Sequence, residues 1–450
     1  RGHDVTVCEA NVIGGGTTGG SSGHLDAHPE MGPRELISQL GEAKARRYVQ
    51  LRLDAINAIE RRANGECDFV RVPAYFYSED RDAEDKLNRQ CEAATRVGLE
   101  AKVVQQWSLP HAKTGYRIGG MARIDCMAYL RRLSEMVVEA GGKIFENTLV
   151  SGPTDKSPKS LAVGQRKVEF EQVVCAVHCN FTDAFRIYLQ TPAYQSYVMA
   201  VRIGRSMEDA LFWDDHSPYY YTRRANSDDA NLILVGGCDH RTGTGDEAEA
   251  KAKLESYVRE RFDVKEIVST WSAELFEPSD GLPIIGKVPG KENVWIATGL
   301  SGVGLTWGTA AAKLIADQIA DRDTPLKEEL SPSRFGVSGA VTTIVEQTQS
   351  MANYAERLLP GENLEDRHLA PGQGAVGTLA GEHVAICRDR DGCEHRHSPL
   401  CTHLGGVVHW NEVEQTWDCA VHGGRFAADG ARIYGPPEDK LKAPGTNASD

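Results

Sequence analysis

The chain has 450 residues, 41% of them hydrophobic and 25% charged, an ordinary globular composition that predicts two or three domains. Its formal net charge of -14 argues against a nucleic-acid-binding protein, which needs a concentrated positive surface, and favours a small or cationic substrate. The irregular spacing of the cysteines is typical of a reducing, cytoplasmic setting, and no apolar run is long enough to predict a transmembrane segment.

The first residues, RGHDVTVCEA, predict the end of a helix, a turn, and a strand over Val5 to Cys8 with Glu9 at its end. This order matches the second half of a βαβ unit. In dinucleotide-binding folds an acidic residue at this place accepts hydrogen bonds from the ribose hydroxyls, while an earlier glycine turn holds the pyrophosphate. Glu9 is therefore predicted to bind a ribose, and the glycine fingerprint itself is expected upstream of Arg1.

A glycine-rich run, NVIGGGTTGG, follows at residues 11–20 and places Gly14, Gly16 and Gly19 at the spacing of that fingerprint. A phosphate-binding fingerprint must lie between a strand and a helix. Here only two apolar residues precede the glycines, and the run leads into SSGHLDAHPE rather than into a helical pattern. We therefore do not interpret this run as the phosphate fingerprint.

Helical and strand-like patterns then alternate along the body of the chain. Helices are predicted over about 33–62, 81–97 and 246–261, and strand-like stretches from 194 to 235 predict a mainly antiparallel layer. Further along, a buried strand over Val294 to Ala297 leads into a glycine loop and a long helix. Free N–H groups and the positive dipole end at such a helix start predict an anion site.

The C-terminal part carries the most specific motif. After a helical connector predicted over 336–361, a Gly- and Pro-rich segment opens a small domain over 362–445. This domain presents C-x-H and, after fifteen residues, C-x-x-H, at Cys401, His403, Cys419 and His422. In a Rieske [2Fe-2S] centre two thiolates bind one iron and two imidazoles the other. Zinc is the alternative metal. In zinc fingers, however, one loop usually supplies both cysteines and another both histidines, whereas each loop here holds one of each.

The segments CTHLGG and WDCAVHGGRF resemble the Rieske family throughout residues 362–445. High-potential members carry an extra cysteine in each loop, joined as a disulfide, and a serine that bonds a bridging sulfide. The corresponding places here are Gly406, Val421 and Gly424. The resemblance therefore implies a reduction potential in the lower half of the Rieske range of roughly -150 to +300 mV.

Five segments in order, RGHDVTVCEA, GTTGGSSGHLDAHPE, VVCAVH, DGLPIIG and VWIATGLSGVGLTWGTAAAKLIAD, resemble the D-amino-acid-oxidase-like FAD oxidoreductases over residues 1–335. The resemblance implies an α/β FAD-binding (Rossmann-like) domain with an antiparallel-sheet substrate domain, roughly 194–275, followed by a small all-β Rieske domain. The residues that would contact FAD are Glu9, Thr18, Gly19, Ser21, Ser22, Val150, Ala176, Gly302, Gly304, Leu305 and Thr306.

Some relatives attach their flavin covalently through a histidine in the first loop, where this chain has His24 and His28. We expect these two side chains to serve as hydrogen-bonding groups in a buried turn instead. In the family the substrate lies over the flavin on the antiparallel sheet. Candidates for contact with it, or for plain sheet packing, are Tyr219, Tyr221, Arg223, His240 and Trp271.

Relatives that act on simple amino acids place a carboxylate-binding arginine between the equivalents of Trp271 and Asp280, and this chain has none there. A secondary or tertiary amine is therefore favoured unless Arg223 or Arg241 takes that role. We expect an FAD-dependent amine or amino-acid oxidoreductase, a dehydrogenase rather than an oxidase, that exchanges electrons between flavin and cluster and with an unidentified acceptor or donor. The alternative is an electron carrier with an incomplete flavin domain. A ring-hydroxylating oxygenase is set aside, because too few residues follow His422 for a mononuclear iron domain.

Overall fold

The computed structural model describes residues 2–154, 158–178, 187, 190–334 and 361–445. Nearly all of the connector predicted over 336–361 therefore lies outside the described residues. In the described ranges the α-helices are α1 Pro33–Leu40, α2 Glu42–Ala63, α3 Glu84–Arg96, α4 Cys126–Glu139, α5 Glu247–Arg261 and α6 Gly304–Ile319.

The single helix predicted over 33–62 is in fact two helices. Gly41 separates α1 from α2 with φ 76° and ψ 154°. An L-residue with a side chain rarely adopts that backbone conformation, and no residue with it can continue an α-helix. The glycine therefore turns the chain between two amphipathic segments that the sequence pattern alone does not separate.

The body of the chain contains seventeen strands among its described residues. They are β1 Thr6–Cys8, β2 His24–Leu25, β3 Val70–Ser78, β4 Ala101–Val103, β5 Thr114–Arg123, β6 Lys143–Phe145, β7 Val150–Thr154, β8 Ser160–Val163, β9 Arg166–Glu169, β10 Val173–Cys175, β11 Ala193–Ile203, β12 Leu211–Asp214, β13 Tyr221–Arg224, β14 Leu232–Arg241, β15 Val264–Phe276, β16 Ile284–Lys287 and β17 Val294–Thr298.

A nine-stranded sheet dominates the body, in the order β15-β11-β14-β13-β12-β3-β5-β2, with β4 paired to β5. The strands from β11 to β15 pair antiparallel with one another, as predicted. The sheet extends beyond the predicted range, because β12 also pairs in parallel with β3 and so recruits β2 to β5. Strand pairing between distant segments has no local sequence signal, which is why this extension was not predicted.

Three smaller sheets carry the loops that matter for the predicted nucleotide site. β1 pairs in parallel with β6, β10 pairs in parallel with β17, and β16 flanks β17 antiparallel. Strands β7, β8 and β9 form a separate antiparallel sheet. The loops that contain Glu9 and Gly302 directly follow β1 and β17.

The main core lies between α2, α6 and the sheet. The rings of Tyr48 and Trp307 lie 4.7 Å apart in a tilted, edge-on arrangement, and both side chains are buried. A second core forms where α5 covers one face of the nine-stranded sheet. In the ranges that the structure describes, no helix is long and apolar enough to cross a membrane.

The C-terminal domain consists of two four-stranded sheets, in the orders β18-β19-β20-β21 and β22-β23-β24-β25. Its core contains Trp417 and Phe426, and the side chains of Cys401 and Cys419 are buried beside them. The strands are β18 Glu362–Asn363, β19 Gly374–Leu379, β20 Glu382–Arg388, β21 Glu394–His397, β22 Val408–Asn411, β23 Thr416–Cys419, β24 Arg425–Ala427 and β25 Arg432–Tyr434.

Candidate cofactor and substrate sites

The two Cys–His loops of the C-terminal domain have the same backbone fold. The N–H of Cys401 donates to the carbonyl of Gly406 at 2.8 Å, and the N–H of Cys419 donates to that of Gly424 at 2.8 Å. A return bond runs from the N–H of Gly405 to Cys401 and from that of Gly423 to Cys419. The repeated geometry presents one cysteine and one histidine from each side of a shared site.

The loops also pack closely against each other. A Cβ at Gly406 would lie 2.5 Å from Val421 and 3.1 Å from the sulfur of Cys419. A Cβ at Gly424 would lie 3.4 Å from the sulfur of Cys401. Positions 406 and 421 therefore face each other, as expected for places that hold a disulfide in high-potential Rieske proteins.

The four predicted ligands come together with the histidines on one side. The rings of His403 and His422 lie 5.0 Å apart, and the sulfurs of Cys401 and Cys419 are buried and close enough to interact. Among the described residues, no group of three or more His, Cys, Asp or Glu side chains is placed to hold one metal ion. Two loops that each supply one cysteine and one histidine suit a [2Fe-2S] centre, in which two thiolates bind one iron and two imidazoles the other.

A buried polar network supports the second ligand loop. Arg425 donates through Nε to Asp418 at 2.9 Å and through Nη2 to Thr416 at 2.9 Å. Asn411 donates to the other carboxylate oxygen of Asp418 at 3.1 Å. Since Asp418 directly precedes Cys419, the network fixes the start of the loop, and its charges are paired within it.

Glu9 lies at the end of β1, where the sequence predicts the ribose-binding acid. Its main-chain N–H donates to Phe145 at 2.8 Å, and its carboxylate accepts a bond from the N–H of Asn11 at 2.8 Å. The glycine run that follows leads only into a 3-10 turn, Thr17–Gly20. The run therefore lacks the α-helix of a phosphate fingerprint, in agreement with the interpretation of the sequence.

The predicted FAD contacts of the first loop lie in or next to this turn. Thr18 and Gly19 belong to it; Ser21 accepts a bond from the N–H of Gly23, and Ser22 contacts Nδ1 of His24 at 2.9 Å. The two contacts predicted for the adenine side of FAD lie outside the first loop. Val150 opens β7 and Ala176 directly follows β10.

The start of α6 fits an anionic, hydrogen-bonding ligand. Gly302 and Gly304 are exposed, and a Cβ at Gly304 would meet nothing within 4 Å. Oγ1 of Thr306 is buried and has no hydrogen-bond partner within the described residues. The first N–H groups of a helix also lack partners, so this open helix start offers several donors beside Leu305. The polar edge of a flavin fits such a site.

The two histidines of the first loop differ in their partners. Nε2 of His28 contacts the hydroxyl of Tyr116 at 2.8 Å, and its ring stacks on Phe76. In His24, Nδ1 is engaged by Ser22, whereas Nε2 is buried and has no hydrogen-bond partner in the described part of the chain. Burial lowers the pKa of both imidazoles, so both are neutral near pH 7.

Two substrate candidates lie on the same face of the large sheet. Val198 of β11 stands opposite both Trp271 and Gly236, and Gly236 stands opposite Tyr221. Tyr221 and Trp271 both pack against Val198. We call this the Tyr221 face. Nε1 of Trp271 donates to the carbonyl of Gly20 at 2.8 Å, so the face borders the first FAD loop.

Tyr219 reaches the second FAD loop. A Cβ at Gly302 would lie 3.7 Å from the Tyr219 hydroxyl. The rings of Tyr219 and Tyr221 lie 6.3 Å apart, and the Tyr221 ring stands edge-on to His24 at 5.3 Å. The Tyr221 face is therefore bounded by both predicted FAD loops.

Two of the candidates have contacts that favour the packing alternative. His240 lies on the opposite face of the sheet, which α5 covers: its Nε2 contacts the hydroxyl of Tyr197 at 3.1 Å, and Tyr197 belongs to the α5 core. Arg223 donates to the main-chain carbonyls of Ser22, Arg224, Ala225 and Ile124. Its guanidinium therefore braces the first loop through main-chain carbonyls.

Sequence reasoning missed Asp239 and Glu274, which lie among the predicted residues. Asp239 precedes His240 on β14 and so lies on the Tyr221 face; burial raises the pKa of its carboxyl to about 6. Glu274 of β15 is fully buried, and burial raises the pKa of its carboxyl to about 8 despite the nearby charge of Arg425. Nothing in the local pattern distinguishes either residue from an ordinary strand position.

Glu274 connects the two domains. Its main-chain carbonyl accepts a bond from Oγ1 of Thr17, at 3.1 Å, in the first FAD loop. A Cβ at Gly423, the residue after His422, would lie 2.5 Å from Oε1 of Glu274 and 2.9 Å from Ala193. Gly423 has φ 70°, a conformation that favours glycine. We call this meeting of Glu274, Ala193 and Gly423 the Glu274 contact.

A second contact joins the domains beside the first. A Cβ at Gly243, just after β14, would lie 2.7 Å from the main-chain nitrogen of Ala420 in the second ligand loop. Arg241 lies close enough to His422 to interact with it electrostatically. Nδ2 of Asn11 donates to the carbonyl of Ile433 at 2.9 Å. The His422 loop thus sits on the ends of β11, β14 and β15.

Two family models match the chain. The model of the FAD-dependent oxidoreductases (DAO) matches residues 1–318, and the model of the Rieske [2Fe-2S] domain matches residues 362–444. YhfW of Bacillus subtilis (strain 168), by its name a Rieske 2Fe-2S iron-sulfur protein, is 27% identical over 454 residues, which cover 98% of this chain and 89% of YhfW. A D-amino acid dehydrogenase of Neisseria gonorrhoeae (strain ATCC 700825 / FA 1090) is 27% identical over 251 residues, 53% of this chain and 56% of that protein.

Solved structures show the same fold for the body. Glycine oxidase from Geobacillus kaustophilus has a TM-score of 0.62 at 18% identity and covers 75% of this chain and 93% of its own. L-Proline dehydrogenase from P. horikoshii has a TM-score of 0.60 at 16% identity, covering 74% and 92%. These domains carry FAD and a [2Fe-2S] cluster, and the chain belongs to the FAD-dependent oxidoreductase (DAO) family with a C-terminal Rieske domain.

Proposed function

We propose that this chain is a dehydrogenase that oxidises a carbon–nitrogen bond of an amine or amino-acid-like substrate, and that electrons pass between its FAD and its own [2Fe-2S] cluster. The observation that carries the proposal is the Glu274 contact. The main chain of Glu274 binds the first FAD loop through Thr17, and its side chain meets the residue that follows the cluster ligand His422. One residue therefore touches the loops of both cofactors.

The chain's own residues supply placement and electrostatics. The start of α6 offers N–H donors and the hydroxyl of Thr306 to the flavin edge, and Trp271 and Arg223 hold the first loop against the sheet. The Tyr221 face borders the first FAD loop, where Nε1 of Trp271 donates to the carbonyl of Gly20. FAD, when bound, accepts a hydride and returns electrons singly, which suits a one-electron partner.

The contact of Glu274 with both the His422 loop and the first FAD loop supports a dehydrogenase over an oxidase, because a fixed electron acceptor would compete with dissolved oxygen. The cytoplasmic setting expected from the cysteines is part of the same proposal. The cysteines among the described residues form no disulfide.

Anaerobic reduction by substrate tests the proposal. The purified protein is mixed with a panel of primary, secondary and tertiary amines and amino acids, and the visible spectrum and the electron paramagnetic resonance signal of the reduced cluster are recorded. We expect at least one amine to bleach the flavin bands and then to give the cluster signal. Cys401→Ser, which removes a cluster ligand, should still be bleached by the same amine but give no such signal.

Three results would count against the proposal. A protein that holds a reducible cluster but no flavin would favour the electron-carrier alternative. Flavin that no member of the panel bleaches would contradict the assigned chemistry. Rapid hydrogen peroxide formation in air, with no faster turnover when an artificial one-electron acceptor is added, would identify an oxidase.

A further inference from the structure

The Tyr221 face carries a carboxylate among hydroxyl groups. Asp239 lies close enough to the hydroxyls of Ser196, Tyr219 and Tyr221 to interact with each of them. The hydroxyls of Ser196 and Tyr221 are 3.4 Å apart, and that of Tyr219 points towards Gly302 in the second FAD loop. These four side chains, which we call the Asp239 cluster, stand where a substrate above the flavin would lie.

In the described part of the chain, no cationic side chain is paired with the carboxylate of the Asp239 cluster. Oδ1 of Asp239 is buried and has no hydrogen-bond partner among the residues that the structure describes. Two further carboxylates, Glu277 and Glu30, lie near the Tyr219 hydroxyl. A carboxylate that is buried without a positive partner is unfavourable, so such a site has high affinity for a cation.

The neighbouring cations are engaged elsewhere. Arg52 pairs with Glu30 and Asp26 at 3.0 Å, and Arg223 donates to main-chain carbonyls. Arg241 lies at His422, in the contact with the Rieske domain. His24, whose ring faces Tyr221, is neutral because burial lowers its pKa. None of these groups is placed to neutralise Asp239.

We infer that Asp239 binds the positively charged nitrogen of the substrate, so that this chain selects cationic amines and does not require a substrate carboxylate. The inference rests on the proposed function, which it narrows to one class of substrate. The aromatic rings of Tyr219 and Tyr221 suit the alkyl groups around such a nitrogen, because a cation is attracted to ring faces as well as to a carboxylate. A free substrate carboxylate would instead meet the negative charge of Asp239.

Binding of three probes of similar size tests this selectivity without turnover. Tetramethylammonium, tert-butanol and pivalate are a cation, a neutral molecule and an anion, and their binding to the purified wild-type protein is measured by isothermal titration calorimetry. We expect tetramethylammonium to bind at least about tenfold more tightly than either of the others. Equal binding of the three probes, tighter binding of pivalate, or no binding of tetramethylammonium would overturn the inference.

Variants assign the selectivity to Asp239. Asp239→Asn should weaken tetramethylammonium binding by about 30-fold or more, the fold-change expected on removing one charge of a buried pair. Asp239→Glu, which keeps the charge, should retain most of the affinity for tetramethylammonium. If Asp239→Asn does not fold, loss of this affinity in Asp239→Glu would overturn the inference. Asp214→Asn is the matched control, because Asp214 is a buried carboxylate of the same sheet that contacts His216 and Tyr257 beneath α5. Unchanged affinity in Asp239→Asn would overturn the inference.

The inference and the proposed function fail separately. If tetramethylammonium binds in an Asp239-dependent way but no amine is oxidised, the cation site stands and the assigned chemistry does not. If amines are oxidised with the same KM in wild type and Asp239→Asn, the chemistry stands and Asp239 is not the binding residue.

Discussion

Replacement of Glu274 by glutamine should stabilise the contact between the two domains at high pH. Glu274 is fully buried between β15 and the His422 loop, and its carboxylate oxygens make no hydrogen bond of standard geometry with the described residues. A carboxyl group whose pKa is raised on folding binds its proton more strongly in the folded state than in the unfolded chain. Below pH 4.5 the carboxyl is protonated in both states, and its burial does not reduce the stability of the fold. As the pH rises towards 8, the stability falls, because only the unfolded chain releases the proton easily.

The size of the effect follows from the pKa. Burial moves the pKa of Glu274 from 4.5 to about 8, with the charge of Arg425 opposing the change. Each factor of ten in a protonation equilibrium corresponds to about 1.4 kcal/mol, so the full effect is about 5 kcal/mol once the pH exceeds 8. The glutamine variant keeps the shape of the protonated acid and loses this penalty.

Urea unfolding of wild type and Glu274→Gln at pH 5 and pH 8.5, followed by the visible circular dichroism of the cluster, measures the difference. We expect the apparent free energies of unfolding to be similar at pH 5 and the variant to be more stable by at least about 2 kcal/mol at pH 8.5. Glu266→Gln, an exposed position of the same strand, is the control and should change nothing. A pH-independent difference of less than about 0.5 kcal/mol for Glu274→Gln would show that the carboxylate of Glu274 is not destabilising in the folded state.

Three further predictions concern single sites. Arg52→Met leaves the carboxylates of Asp26 and Glu30 without their cation, so the thermal unfolding free energy should fall by about 3 to 5 kcal/mol; a loss below about 1 kcal/mol would show that the pair is dispensable. The ligand loops of the [2Fe-2S] cluster lack the disulfide and the serine of high-potential members, so its reduction potential should lie in the lower half of roughly -150 to +300 mV; a redox titration with a midpoint above that half would contradict this. Acid precipitation should leave the flavin in the supernatant; flavin that stays with the pellet in wild type but not in His24→Ala would instead identify a covalent bond to that histidine.

The parts that sequence predicts best are those in which chemistry restricts both residue type and spacing. Cys401, His403, Cys419 and His422 are recognisable because an iron-sulfur cluster needs thiolates and imidazoles from two short loops. The strand, glycine loop and helix around Gly302 have a similarly local signal, since a helix start must follow a turn. In both cases the neighbouring residues along the chain form the site.

The substrate face depends on strand pairing, which a single sequence does not reveal. His240 and Asp239 are neighbours in the chain, yet a register shift between Gln195 and Tyr197 and the strand alternation place them on opposite faces. Arg223 was named as a candidate from its residue type, but two of the carbonyls that it binds, those of Ser22 and Ile124, are distant in sequence. Glu274 can be recognised as a contact residue only when the position of the C-terminal domain is known.

Flash photoreduction of the flavin under anaerobic conditions tests electron exchange within one chain without any substrate. The rate at which the reduced-cluster signal appears should be independent of protein concentration. It should be slower in Gly423→Ala, where a Cβ would meet Glu274, and unchanged in Gly392→Ala, a glycine of similar φ with nothing within 4 Å. A rate proportional to protein concentration, and equal in the two variants, would contradict the account.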